Sequence, residues 1–111
     1  MNAAQIDRLL ASVPDTTEER HRRRVLGYAM TARRIDARIS ALRGELERAL
    51  RAVDDDVARG LGDKSADRAL QLAQELESLE RVQPRVDSWL RVAVGAVADD
   101  PGLEPFGEGP V

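Results

Sequence analysis

Two apolar stripes of one period constrain this chain more than anything else in it. The first runs Val25, Tyr28, Ala32, Ile35, Ile39, Leu42, Leu46, Ala49 and Val53, with spacings that alternate between three and four. The second runs Ala69, Leu72, Leu76, Leu79, Gln83, Val86, Leu90, Ala93 and Val97 with the same alternation. Spacing of this kind keeps one face of an α-helix apolar and repeats as the a and d positions of a heptad. A helix of roughly 40 residues is about 60 Å long, too long to fold into a round globule of 111 residues. The stripes therefore predict an all-α chain built on an antiparallel helical hairpin, or coiled coil.

The break between the stripes predicts the turn. Asp56 falls on the d position after Val53, and Arg59-Gly60-Leu61-Gly62-Asp63 follows. Gly60 and Gly62 can adopt the left-handed dihedrals that close a helix, and Asp63 or Ser65 can cap the next one. Folding back there sets Val53 near Ala69 and Leu72, Leu42 near Leu79 and Gln83, and Tyr28 near Ala93 and Val97. Gln83 is a polar residue on an a position, a device that fixes register. Pro84 removes a backbone donor and predicts a kink in the third helix.

A short helix precedes the hairpin. Ile6, Leu9, Leu10 and Val13 form one apolar stripe, Asn2 and Gln5 read as a capping box, and Pro14 ends the helix. Thr16 and Glu19 read as the capping box of the long second helix. The expected helices are about 3–12, 17–58 and 65–98. Together residues 1–98 form one helical domain, and 99–111 a flexible, acidic tail rich in Pro and Gly, with Leu103 and Phe106 its large apolar residues. The first helix lies at the open end, giving three helices there and two at the turn. Beyond Pro84, Val82, Val86, Trp89, Leu90, Val92, Val94 and Val97 spread around the circumference, as in a helix buried on more than one side.

Composition narrows the chemistry. Without Cys there is no disulfide, thiolate ligand or thiol nucleophile. A single His, His21, leaves no His-based zinc site and no Ser-His-Asp triad; it extends the seam one heptad before Tyr28 as a half-exposed residue. Asp54, Asp55 and Asp56 lack the alternate-position ligands of a calcium loop, and no Gly-rich phosphate loop follows a strand pattern. The expectation is a protein without enzymatic activity, metal or cofactor. No apolar run approaches about 18 residues and no signal-peptide order opens the chain, so a cytoplasmic location away from membranes is expected.

Charge is asymmetric beneath a net value of -3. Residues 17–53 carry ten Arg against five acidic residues, and 54–111 six basic against thirteen acidic. Internal pairing of the two halves accounts for this split, and an external polyanion is the other reading. The sharpest cluster is Arg20, Arg22, Arg23 and Arg24, continued by Arg33 and Arg34. Those first four occupy positions c, e, f and g and surround the helix, whereas a nucleic-acid groove prefers a stripe.

Leu50, Val57, Leu61 and Leu70 lie off the seam at the turn end, where only two helices are expected. Trp89 joins them if the first helix leaves it uncovered. These residues predict a protein–protein interaction module that acts by helix-bundle packing, as an adaptor, assembly factor or small chaperone. The partner is a second copy, completing a four-helix-type bundle, or another helical protein. The alternative is a nucleic-acid-associated regulator using Arg20–Arg24. In size and hairpin shape the chain resembles type III secretion and flagellar chaperones, Trp-Xaa-Gly secreted hairpins and phage assembly factors. The Trp-Xaa-Gly comparison fails on residues, since the turn reads Gly60-Leu61-Gly62 and Trp89 lies in a helix. The others share architecture, which assigns no residue a role.

Overall fold

The computed structural model describes residues 1–60 and 64–99. Three helices follow in order: α1 (Ala3–Ala11), α2 (Glu19–Ala58) and α3 (Lys64–Asp99). No strand occurs among the described residues. The fold is all-α, a helical hairpin preceded by a short helix. Each boundary lies within two residues of the one expected from sequence, about the precision of any helix end.

Local chemistry explains most of these ends. Asn2 caps α1 with a full capping box: its side chain accepts from Gln5 N at 2.9 Å and Gln5 Oε1 accepts from Asn2 N at 2.9 Å. The Thr16–Glu19 box does not form. A turn closed by Thr17 N donating to Pro14 O at 3.1 Å takes up those residues. Thr17 is turned inward, with its hydroxyl buried and unbonded. The first carbonyl of α2 is that of Glu18, which accepts from Arg22 N at 3.0 Å. At the other end Gly60 has φ 69 and donates to Val57 O, the left-handed closure expected of it. Gly62, Leu61 and Asp63 lie outside the described residues. Ser65 is not the cap, because α3 begins at Lys64, one residue before it, and its hydroxyl donates to Asp56 Oδ2. That bond gives the acid at the failing d position a polar partner.

α3 runs through Pro84 without interruption. Gln83 Nε2 donates to Asp36 Oδ1 at 3.2 Å, so the polar a residue faces Asp36. Heptad spacing names the buried face and not the residue that a polar a side chain meets across it.

The chain divides into two compact units: Met1–Asp36 with Val82–Val111, the latter described to Asp99, and Ala37–Arg81. Unit 1 holds α1, the first part of α2 and the last part of α3. Its core is one cluster of Ile6, Val25, Ala29, Ala32, Val86, Leu90, Ala93, Val94 and Val97, with Leu9, Leu10, Tyr28 and Trp89 packed against it. Each fully buried aliphatic side chain stabilises such a core by about 1.5–3 kcal/mol. His21 is only 1% exposed, a correction to its expected half-exposure. Unit 2 is built from two helical segments, with Ile39, Leu42, Ala69 and Leu72 buried and Leu46, Ala49, Leu76 and Leu79 half-buried along the seam. In α3 the widened apolar pattern is only partly inside, since Val82 and Val92 are exposed.

Candidate protein interface

Numbering the heptads from Val25 and Ala69 as a positions makes the flanks of each unit readable. In antiparallel helices the two e positions face each other on one side of the seam and the two g positions on the other. Unit 2 follows this arrangement. On its g side Arg38 donates to both carboxylate oxygens of Glu75, at 3.0 and 3.1 Å, and Arg68 donates to Glu45 at 3.3 Å. Moving forward along α2 from 38 to 45 matches moving backward along α3 from 75 to 68, as antiparallel pairing requires. The g side is thus closed by interhelical ion pairs, of which Arg38–Glu75 joins the basic half to the acidic one and Arg68–Glu45 runs the other way.

The e side of unit 2 differs. Arg43 and Glu80 pair there at 3.7 Å. Beyond that pair the e positions are Leu50 and Val57 on α2 and Ala66 and Ala73 on α3, with Leu70 on the adjoining b position. Leu50 is 50%, Val57 66% and Leu70 57% exposed. A two-stranded seam needs only a and d apolar, whereas an apolar e widens the stripe to that of a helix meeting more than one neighbour.

Unit 1 covers most of its e side, with Arg22 and Asp36 half-buried at its margins. Ala29, Asp87 and Val94 occupy e positions and all three are buried. Ile6 of α1, itself 0% exposed, belongs to the same cluster as Ala29 and Val94. The Met1 ammonium donates to Asp87 Oδ2 at 2.6 Å. Asp7 on α1 accepts from Arg33. The short helix is therefore the third partner that an apolar e side calls for. No pattern in the sequence announced the Met1–Asp87 pair. Its one trace is an acid among Val86, Leu90 and Val94, in the stretch where α3 widens its apolar face.

Four residues of the expected partner surface fall among the described ones. Leu50, Val57 and Leu70 lie on one side of unit 2. Trp89 is half-buried against the core of unit 1. Leu61 is outside the described residues, as are Leu103 and Phe106 of the tail.

The basic cluster is largely engaged by the chain itself. Arg20 donates to Glu18 at 3.1 Å, Arg23 to Glu19 at 2.9 Å and Arg33 to Asp7. Arg22 donates to the carbonyls of Pro14 and Asp15 at 3.3 and 2.8 Å. Arg24 is near enough to Tyr28 to oppose, in part, the upward shift that burial gives the phenol pKa. Of the six arginines only Arg34 makes no hydrogen bond or ion pair among the described residues.

A concavity of about 190 Å³ in unit 1 is lined by Leu10, Val13, Asp15, Arg22, Val25 and Leu26. That is room for a single side chain, below the usual size of a small-molecule site. Among the described residues no three His, Asp or Glu side chains gather as a metal-binding set. No described helix is long and apolar enough to cross a membrane. Comparison with family models, curated proteins and solved structures finds no match.

Proposed function

We propose that this chain is a non-enzymatic helical protein–protein interaction module of the cytoplasm, an adaptor, assembly factor or small chaperone that works by helix-bundle packing on the e side of unit 2. One observation carries the reading. A two-helix unit whose opposite side is closed by ion pairs exposes Leu50, Val57 and Leu70 together. Grouped aliphatic exposure of this kind marks an association surface, unlike single scattered leucines. The partner is a second copy or another helical protein.

The test is the double variant Leu50→Glu/Leu70→Glu. Both positions are exposed, so the variant keeps its helical circular dichroism and its melting temperature. Light scattering after size exclusion, with and without candidate partners, is expected to show association in the parent and none in the variant. A parent that stays monomeric at micromolar concentration and binds no helical partner contradicts the proposal. So does a variant that loses its helicity, because these positions would then belong to the core.

A further inference from the structure

The charges that border the apolar e side restrict what can cover it. Around a helix the b position is the next one outward from e, so b residues form the rim of anything laid along the e side. From residue 47 to 57 on α2 the e and b positions are Glu47, Leu50, Asp54 and Val57. From 66 to 77 on α3 they are Ala66, Leu70, Ala73 and Glu77. Every charged residue in the set is acidic, and all three are exposed. Glu47 and Glu77 each pair with the arginine four residues on, Arg51 and Arg81, which lie farther outward at f. Asp54 makes no ion pair among the described residues.

We infer that the e side of unit 2 receives an amphipathic α-helix from a different protein, with an aliphatic stripe bordered by Lys or Arg. This rests on the interaction-module reading and names the partner's chemistry. Two observations choose this occupant. First, α1 performs the same task in unit 1: a nine-residue helix with aliphatic side chains at heptad spacing packs against the e positions, and a cation at its start meets the acid Asp87. Second, a second copy docking through the same face would set Glu47, Asp54 and Glu77 against their own counterparts. Like charges at the flanks of a helical interface disfavour that pairing, whereas a basic border satisfies it. The apolar stretch covers about two helical turns, a short contact of the kind that suits a complex that forms and releases readily.

The experiment uses the full chain and two synthetic helices of roughly 20 residues, long enough to hold helical structure alone. Both carry the same Leu stripe; one is bordered by Lys, the other by Glu. Binding is followed by amide chemical shifts. The Lys-bordered helix is expected to shift amides in 46–58 and 65–77 and to bind roughly tenfold tighter than the Glu-bordered one, the sum of several exposed charge contacts. Asp54→Lys/Glu77→Lys is expected to reverse that preference, and Leu50→Glu/Leu70→Glu to abolish binding of both. Equal affinity for the two helices, shifts confined to unit 1, or a charge-reversed protein that still prefers Lys would each overturn the inference. Self-association of the parent that Leu50→Glu/Leu70→Glu abolishes would also overturn it, while leaving the interaction-module reading standing. Failure of both helices to bind a monomeric parent would remove both.

Discussion

Unit 1 and unit 2 carry one heptad seam each and treat its e side in opposite ways. In unit 1 the e residues Ala29, Asp87 and Val94 are buried with Ile6 of α1. In unit 2 the e residues Leu50 and Val57 face solvent. The contrast lies less in composition than in helix count. Three segments give unit 1 a core with several residues at 0% exposure, while two segments leave most seam residues of unit 2 half-covered. A pair of helices protects one stripe on each, and anything apolar beside that stripe waits for a third surface.

The largest expected effect that tests this contrast is at Leu90, which is fully buried in unit 1. Leu90→Ala should destabilise by about 2–5 kcal/mol in urea unfolding. Leu50→Ala, exposed in unit 2, should stay within about 0.5 kcal/mol. Comparable losses at the two sites would erase the distinction. Next in size is Asp87→Ala, which removes the partner of the part-buried Met1 ammonium and should cost about 1.5–3 kcal/mol. A far smaller loss would show that α1 is held by its apolar stripe alone.

Smaller effects sharpen the description of unit 2. A double-mutant cycle on Arg38 and Glu75 should give a coupling below about 1 kcal/mol that fades in high salt, because both side chains are nearly half exposed. A larger coupling would mean the g side contributes more to holding the two segments together than its exposure allows. The smallest effect belongs to Tyr28 in unit 1. Its pKa is raised, chiefly by burial. The folded state therefore keeps the phenol proton to higher pH than the unfolded chain does. Its stability is complete below the ordinary value of about 10 and declines as pH rises through the shifted value. Tyr28→Phe should remove that part of the alkaline decline, and tyrosinate absorbance during a pH titration checks the shift directly.

Much of the fold was legible in the sequence because periodicity reports a face. The a and d series named the buried seam from Val25 to Val53 and from Ala69 to Val97, and short-range rules found the Asn2–Gln5 cap and the Gly60 closure. Three features were not legible, each for a physical reason. The Gln83–Asp36 hydrogen bond was one, because heptad spacing names the buried face and not which polar side chain lies opposite. The start of α2 moved from Thr16 to Glu18, because the Pro14–Thr17 turn consumed the residues a capping box would have used. Met1–Asp87 joins residues far apart in the chain, and no local pattern encodes such a pair. For the candidate interface, sequence picked out Leu50, Val57 and Leu70. The ion-paired g side and the acidic rim needed the three-dimensional pairing of α2 with α3.

The positions of Trp89 and Tyr28 have a spectroscopic consequence. Both chromophores belong to unit 1, and the chain has one of each. Indole emission and near-ultraviolet dichroism thus report one unit only, while far-ultraviolet dichroism follows the peptide bonds of both. Thermal curves recorded with the two kinds of probe will coincide if the chain melts in one cooperative step, and will separate by the difference in stability if unit 2 melts first.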